Sequence, residues 1–356
     1  MNTLNRHSKF FKELSMKPYF ILILITFLFF LSAKSFSQIG ASLNKTGTTA
    51  AQFLKIGVGP RPIGMGGAYT ASADDINSIY WNPAGLAGIY SREAYFNHVD
   101  WISDVKLDYA GVGIEVPGFG TLGASVSVLS MGSMLVRTVE QPEGTGEYFD
   151  AGSLLIGLTY ARNLTEEFSI GFNAKYINEY IWHESATSFA FDVGTLYRLN
   201  FLNEFRIGAS ISNFGPKMQL AGRDITQITK AGAGDGNIIN TDLELDQFEL
   251  PLIFRIGVAV NAVKNEENRL TVAADAVHPN DNSEHVNLGM EYSWNEIFFL
   301  RGGYKSLFEV GGEQGLTLGV GLYYRVISSV QFKIDYAYED FGRLKNVQYF
   351  SVGIKF

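Results

Sequence analysis

The chain has 356 residues, a formal net charge of −8 and no cysteine. An acidic chain does not suit nucleic acid as a partner, because phosphates attract basic surfaces. Without cysteine, a disulfide framework, a thiolate metal site and a lipid-modified N-terminal cysteine are all excluded.

The first residues have the layout of a secretory signal peptide. A basic lead precedes an eleven-residue apolar run over 21–31, and small residues follow it. A membrane-spanning helix needs about 20 apolar residues, so this run fits the apolar core of a signal peptide instead. We expect residues 1–37 to be the signal peptide, with cleavage near Ser37/Gln38, and Met16 is an alternative start of the chain. An exported chain without a long apolar helix can enter a membrane only as a β-barrel.

Residues 38–91 lack sustained alternation of polar and apolar residues. Within them, the stretch SADDINSIYWNPAGLAG predicts a short helix. Ser72 and Asp75 have the spacing of a capping box at its start. Pro83 disfavours helical backbone at the residue before it, so the helix is expected to end there.

From about residue 92, apolar and polar residues alternate with a period of two. In GLTLGVGLYYRV (315–326), leucine, valine and Tyr324 fall on one face, and threonine, glycine and Arg325 fall on the other. Alternation over about ten residues predicts strands longer than the roughly 5–6 residues usual in globular proteins. An apolar face with tyrosine and tryptophan near the strand ends is typical of a lipid-facing band, and the polar face suits a lumen.

About fourteen such segments lie between 92 and 356. The second, 105–116, is ambiguous because its alternation changes phase near Tyr109. The connections between these segments alternate along the chain between two sets. One set consists of short turns, and the other contains the long loops, of which 214–248 is the longest. An even strand number with short turns on one side is how outer-membrane barrels are built. We therefore predict an all-β fold, a fourteen-stranded antiparallel transmembrane β-barrel over 92–356.

The segment before the barrel can hang in the periplasm or fold into the lumen. A barrel of fourteen strands is wide enough to need filling, so we predict that 38–91 form a luminal hatch that contains the short helix. A structural foot outside the lumen is the alternative. The glycine-rich stretch GVGPRPIGMGG lacks the lysine and the preceding strand of a phosphate loop, so its glycines are expected to let the backbone pass close to the wall. We expect wall groups to pair with Arg61, Asp74, Asp75 and Asn82. The candidate hatch residues are Arg61, Gly64, Gly66, Gly67, Asp74, Asp75, Asn82, Pro83 and Gly85.

The chain ends on QYFSVGIKF, in which Phe350 and Phe356 fall on the apolar face. A closing strand that ends on an aromatic residue resembles the insertion signal of outer-membrane proteins. The candidate signal residues are Tyr349, Phe350 and Phe356.

No pattern in the chain predicts a cofactor. His278 and His285 flank an outer loop that contains Asp281 and Glu284, and a calcium or zinc site is one interpretation of this loop. The spacing is not that of an EF-hand, so a solvated turn is the favoured interpretation. Ser185 lies beside a histidine and a glutamate, but neighbouring strand residues face opposite sides and do not form a nucleophile–base pair. We expect no enzyme, no cofactor and no metal.

Two stretches resemble a known family. GPRPIGMGGAYTASADDINSIYWNPAGLAG (59–88) is similar to the N-terminal signature of the FadL-like superfamily of outer-membrane barrels. ADAVHPNDNSEHVNLGMEYSWNEIFFLRGGYK (274–305) supports the PorV/PorQ family within it. The resemblance implies a fourteen-stranded barrel with an N-terminal hatch. It also implies action in type IX secretion, with the translocon and with cargo proteins that bear a C-terminal signal. Members also resemble FadL transporters, which pass hydrophobic molecules through the lumen and a wall opening.

Two functions stay open at this point. One is an accessory component of type IX secretion that binds translocon or cargo, and the other is a diffusive transporter of a hydrophobic small molecule. A transporter needs a continuous apolar pocket, and the polar inner face favours the first function. The expected partners are outer-membrane lipid and, according to the function, a secretion translocon and secreted cargo or a hydrophobic small molecule. The expected location is the outer membrane. The loop over 215–248 mixes apolar residues with charge, which favours a covering or binding surface over a mobile loop.

Overall fold

The computed structural model describes residues 45–200, 203–230, 238–309, 311–327 and 329–356. The expected signal peptide and hatch residues 38–44 lie outside the described residues. Within the described ranges, no helix is long and apolar enough to cross a membrane.

Fourteen long strands of the described chain close into one antiparallel β-barrel, as predicted. Each strand is hydrogen-bonded to the next along the chain, and the last pairs with the first from Glu93↔Lys355 to Asp100↔Gln348. The strands are β1 (Arg92–Asp100), β2 (Lys106–Val116), β3 (Gly120–Ser130), β4 (Ala151–Asn163), β5 (Phe168–Ile181), β6 (Glu184–Leu199), β7 (Phe205–Phe214), β8 (Ile253–Lys264), β9 (Asn268–Pro279), β10 (His285–Trp294), β11 (Phe298–Leu307), β12 (Leu316–Ile327), β13 (Val330–Asp340) and β14 (Asn346–Lys355).

The connections differ between the two ends of the barrel. Because the strand number is even, the chain enters β1 and leaves β14 at the same end, which also carries short turns such as 117–119 and 295–297. The opposite end carries the longest connections, 131–150 and 215–252. In outer-membrane barrels the short turns are periplasmic and the long loops are extracellular. We call these two ends the periplasmic end and the outer end.

Side chains alternate between an exposed outer face and a buried inner face. In β12, Leu316 and Leu318 are 48% and 49% exposed, whereas Thr317 between them is fully buried. Trp294 and Tyr324 are exposed on the outer face near the periplasmic turns. The wall therefore has the lipid-facing apolar band and aromatic border that the alternation predicted.

The ambiguous second segment keeps one phase along β2. Leu107 and Tyr109 both point inward and are buried, while Val112 and Ile114 are exposed outside. Tyr109 belongs to an apolar cluster with hatch residues such as Ile76. The sequence suggests a change of phase only because the hatch gives these two inner positions an apolar neighbour.

Short strands organise the outer loops. Met134–Leu135 pairs with Tyr148–Phe149, and Thr226–Lys230 pairs with Ile238–Asp242 to form a two-stranded ribbon. Ala221–Gly222 adds to the outer end of β6. Single 3₁₀ turns lie at Ile102–Asp104 and Gly342–Leu344. The described part of the 215–252 loop is thus held to the barrel by main-chain hydrogen bonds.

The described part of the hatch, residues 45–91, consists of short helical pieces joined by extended chain. The predicted helix is present but begins at Ser78 rather than after Ser72. The capping box is wrong because the Asp75 carboxylate binds Arg61 and the backbone nitrogen of Asn77 instead. The pieces are a 3₁₀ turn (Gln52–Lys55), α1 (Pro60–Gly64), α2 (Ser78–Trp81) and a second 3₁₀ turn (Pro83–Gly88).

Helix α2 ends where the proline predicts. Asn82, the residue before Pro83, has φ −159° and ψ 101°, which is extended backbone. Its side-chain oxygen accepts a hydrogen bond from the backbone nitrogen of Ala84 at 3.2 Å and so begins the next turn.

Candidate functional site

The described hatch crosses the barrel interior from the outer end to the periplasmic end. At the outer end, Thr49 forms a parallel bridge with Glu249. At the periplasmic end, Asn163 of β4 donates a hydrogen bond to the carbonyl oxygen of Ala87 at 3.1 Å. The side chains between these contacts that are at most 1% exposed include Ile63, Met65, Tyr69, Ile76, Ile79 and Leu86.

Arg61 is the central ionic contact between the hatch and the wall. Its Nε donates to Glu291 of β10 at 2.9 Å, and its Nη2 donates to the other oxygen of Glu291 at 3.1 Å. Its Nη1 donates to Asp74 at 2.6 Å and to Asp75 at 2.9 Å. One buried guanidinium thus joins α1, the loop before α2 and the wall. The two aspartates bind Arg61 within the hatch, rather than the wall groups that the sequence suggested.

The wall continues this chain of alternating charges. Arg301 of β11 donates to Glu291 at 2.8 Å and to Asp335 of β13 at 2.6 Å. Nearby, Lys333 and Glu93 form a buried pair at 2.6 Å. Buried charges are tolerated when they are paired and hydrogen-bonded, and removing one partner leaves a charge that is costly to bury. Arg61, Glu291, Arg301 and Asp335 therefore form one ionic network that joins the hatch to the inner wall.

Hydrogen bonds between side chains and backbone groups join the hatch to two wall strands. The Asp275 carboxylate of β9 accepts hydrogen bonds from the backbone nitrogens of Tyr69 and Thr70 at 3.0 and 2.9 Å. The Asn82 side chain donates to the carbonyl oxygen of Thr195 in β6 at 3.0 Å and to that of Thr70 at 2.8 Å. These bonds satisfy backbone groups that irregular chain would otherwise leave buried without partners.

Glycine lets the hatch and the wall touch backbone to backbone. Gly66 has φ +65°, and a Cβ there would overlap the carbonyl oxygen of Leu288 in β10. Gly303 of β11 lies opposite, and a Cβ on it would overlap the backbone nitrogen of Gly66. Gly64 meets Gly319 of β12 in the same way. Of the other predicted hatch glycines, Gly67 has φ +76° and Gly85 packs on the backbone of Ala73 inside the hatch.

A second anchor ties the hatch to the outer end. The buried Asp281, in the loop between β9 and β10, accepts hydrogen bonds from Lys55 at 2.9 Å, Thr49 at 2.7 Å and Gln52 at 3.1 Å. Burial works to raise the pKa of Asp281, but the bonds from Lys55, Thr49 and Gln52 outweigh it, so the pKa lies below its ordinary value. The sequence-based interpretation of this loop as a solvated turn is therefore wrong for Asp281. Its histidine neighbour His278 pairs with Glu284 at the surface.

A profile of the family described as "Type IX secretion system protein PorV" matches residues 40–278, which is more than half of the chain. The chain belongs to the PorV family. The match covers most of the hatch and the wall through β9, including Arg61 and Asp275. The family and the fold place this barrel among outer-membrane proteins of type IX secretion, and both are non-enzymatic kinds of protein.

Solved structures with the same fold include toluene transporters and a monoaromatic hydrocarbon channel. The Ralstonia pickettii toluene transporter TbuX has 12% identity and a TM-score of 0.53, over 84% of this chain and 97% of that one. The Pseudomonas putida toluene transporter TodX has 13% identity and a TM-score of 0.53, with the same coverage. The CymD monoaromatic hydrocarbon channel has 14% identity and a TM-score of 0.52. At these identities the likeness establishes the FadL-like fold of the PorV-family barrel. No curated protein matches the chain.

The C-terminal residues lie in the closing strand of the PorV-family barrel. Phe350 is exposed on the outer face, and Phe356 exchanges two backbone hydrogen bonds of 2.9 Å with Arg92 of β1. Tyr349 points inward instead, is fully buried and donates to Glu339 at 2.8 Å. Of the three proposed signal residues, two therefore face the membrane side and one belongs to the lumen.

A cavity of about 630 Å³ lies at the outer end of the PorV-family barrel beside the hatch. Glu179 of β5 is half-buried, lines this cavity and accepts a hydrogen bond from the backbone nitrogen of Ala51 at 2.9 Å. The apolar side chains that line it include Leu129, Met131, Ile181, Met218, Leu220 and Phe248.

The sequence predicted the hatch residue of the main ionic contact but not its partner in the wall. It singled out Arg61 but not Glu291, although strict alternation along β10 places Glu291 on the inner face. It also missed the pairing of Lys55 with Asp281. Nothing in a proline–asparagine–aspartate turn shows that another part of the chain covers it, so this anchor had no sequence signal.

Proposed function

We propose that this PorV-family barrel is an adaptor of type IX secretion. In this proposal the hatch keeps the lumen closed, and the outer loops bind a translocon component or a cargo protein. The observation that carries the proposal is the pair of buried ionic contacts that Arg61 makes with Glu291 and Asp75. Breaking a buried ion pair costs about 3–5 kcal/mol, so a hatch held in this way is a fixed part of the lumen.

The chemistry of the lumen also supports an adaptor. A channel for hydrophobic molecules needs a continuous apolar path. Around the middle of the hatch, the wall instead presents buried charges such as Asp275, Glu291 and Arg301. An apolar molecule passing this level would have to separate paired charges, which is unfavourable.

The ribbon of the 215–252 loop is the surface we assign to the protein partner. Its side chains Ile228 and Ile238 are 77% and 69% exposed. Exposed apolar side chains that cluster on a soluble loop mark interaction surfaces. The ribbon lies at the outer end, where secreted cargo emerges in this proposal.

The proposal is tested by complementation in a bacterium whose own PorV-family gene is deleted. The chain should restore cargo with a C-terminal signal to the cell surface, measured by protease shaving. A variant with a short glycine linker in place of the ribbon (226–242) should fold but not restore cargo. The matching replacement of the smaller ribbon (134–149) serves as the control for loop shortening. Full restoration by the first variant would contradict the assigned surface.

Transport of a hydrophobic small molecule is the second candidate. The 630 Å³ cavity with its apolar lining favours it, and similar structures are described as toluene transporters. Uptake of radiolabelled toluene by outer-membrane vesicles separates the two functions. The adaptor proposal predicts no uptake above that of vesicles without the barrel, and saturable uptake would favour the transporter.

A further inference from the structure

A second cavity, of about 210 Å³, lies between the hatch and the wall near the outer end and has both polar and apolar lining. We call it the Arg255 cavity. Tyr80 and Trp81 of the hatch and Arg255 of β8 line its deep side. Asn282 and Gln314, from two outer loops, line its mouth. The remaining lining residues that bear on its charge are Lys55, His285, Lys305, Glu309 and Glu313.

Arg255 is a buried cation without a carboxylate partner. It is 5% exposed, and its Nη1 donates to the hydroxyl of Ser212 at 3.2 Å. Its guanidinium carbon lies 5.9 Å from the ring centre of Tyr80 and 5.5 Å from that of Trp81. Among the described residues, no carboxylate forms an ion pair with Arg255. Asp275 lies near enough to interact with Arg255 electrostatically but does not form an ion pair with it. A buried cation that no carboxylate contacts is unfavourable, so this guanidinium can take a further anion.

The two lysines of the Arg255 cavity already have carboxylate partners, whereas Glu309 forms no ion pair with the described residues. Lys55 pairs with Asp281 at 2.9 Å, and Lys305 pairs with Glu339 at 2.8 Å. Glu309 accepts a hydrogen bond from Asn282, and Glu313 binds Arg343 at the surface. His285 contacts the carbonyl oxygen of Ser283. The one unmatched charge at the deep side is therefore positive.

We propose that the Arg255 cavity binds a small oxyanion, a phosphate or a carboxylate. A guanidinium presents its N–H groups in a planar fork that matches the oxygens of such anions. A water molecule occupies about 30 Å³ of liquid, so the cavity has room for the anion and a few waters. The anion would connect α2 of the hatch, through Trp81 and Tyr80, with β8 of the wall. The inference does not depend on the proposed role in secretion.

The test is calorimetric titration of the purified barrel in detergent with inorganic phosphate and, separately, with acetate. Sodium chloride at the same ionic strength serves as the blank. The wild type should bind at least one of the two anions, and the two titrations distinguish phosphate from carboxylate. Arg255→Gln should lower the affinity about tenfold or more, because a charge-assisted hydrogen bond is lost. Arg325→Gln removes an exposed cation near a periplasmic turn and should bind like the wild type.

Folding of each variant is checked by heat-modified gel migration. If Arg255→Gln does not fold, Arg255→Lys replaces it, because it keeps the charge but loses the fork and should bind more weakly than the wild type. A second readout is tryptophan emission, which should change on binding in the wild type but not in Trp81→Phe. Absence of binding by the wild type, or equal binding by Arg255→Gln, would overturn the proposal.

Discussion

At Arg61, one guanidinium holds two neighbouring carboxylates of the hatch and one carboxylate of the wall. Both Nε and Nη2 reach Glu291, while Nη1 reaches Asp74 and Asp75. A lysine could supply the charge but not this planar fork. The identity of the residue therefore matters as much as its charge.

Arg61→Met should destabilise the folded barrel by about 3–5 kcal/mol, because it leaves Asp75 buried without a cation and removes one of the cations on Glu291, which keeps Arg301. Denaturant unfolding in detergent, followed by tryptophan emission, measures the change. The control is Arg343→Met, which breaks an exposed pair with Glu313 and should change stability by about 0–1 kcal/mol. Equal losses in the two variants would mean that the Arg61 network does not fasten the hatch.

Asp281 predicts a dependence of stability on pH. Its pKa is lower in the folded chain than in the unfolded chain, where it is about 3.9. The ionised carboxylate therefore stabilises the fold above that value, and the stabilisation is lost as the pH falls through the folded pKa. Asp281→Asn should be less stable than the wild type at neutral pH, and the difference should shrink progressively as the pH falls below about 4. Unfolding curves at several pH values test this, with the exposed Glu244→Gln as a control that should show no such difference.

Sequence reasoning at the scale of single residues found the charges of the hatch but not their partners. Arg61 stood out because a short polar segment before a barrel suggests contact with the wall. Its partner Glu291 lies 230 positions away in the chain, and only the closed barrel brings the two together. Asp74 was expected to reach the wall, but Arg61 is nearer and binds it within the hatch.

At the scale of elements, β11 offers neighbouring glycines on opposite faces. A Cβ on Gly303 would overlap the hatch backbone at Gly66, whereas a Cβ on Gly302 would meet only a side-chain carbon of Met290 at 4.0 Å. Gly303→Ala should displace the hatch and destabilise the protein by about 1–3 kcal/mol, as overpacking does. Gly302→Ala should be nearly neutral. Limited proteolysis of the hatch, added to the unfolding measurement, shows whether displacement is the cause.

The outer face of β12 predicts how an arginine at different depths affects the barrel. Tyr324 marks the aromatic border on this face. Leu318 lies on the side of Tyr324 that faces the outer end, and Val326 lies on the side that faces the periplasmic end. Leu318→Arg should destabilise the barrel by about 2–4 kcal/mol, and Val326→Arg by about 0–1 kcal/mol. Refolding into lipid vesicles measures both. The same loss at both positions would contradict the orientation assigned to this strand.

The strands were predictable because two-residue alternation depends on nothing but the two faces of the wall. The prediction was least clear in β2, where Leu107 and Tyr109 are inner residues that pack on the hatch. The start of α2 was predicted too early because Ser72 and Asp75 matched a local capping pattern. The long-range bond of Asp75 to Arg61 overrides that pattern, and no local rule contains it.

At the scale of the whole molecule, we predict that the hatch closes the lumen to ions. Deleting residues 45–88 removes Arg61, α1 and α2 and leaves wall charges such as Asp275 and Glu291 facing water. We expect the deleted barrel to fold and to show steady open channels in planar bilayers, and the intact chain to be nearly silent. Gly302→Ala serves as the matched control and should be as silent as the intact chain. Equal conductance of the intact and deleted chains would show that the hatch does not close the lumen.

The path of the hatch has a consequence for the order of assembly. Residues 49 to 87 run lengthwise through the ring, and the seam between β1 and β14 closes that ring around them. Pushing the same residues through a finished ring would require the inner ion pairs to form and then separate again. We therefore expect the free edges of β1 and β14 to pair last, around an interior that is already packed. In this order the pairing of Glu93 with Lys355 becomes the final step, which traps the threaded segment inside.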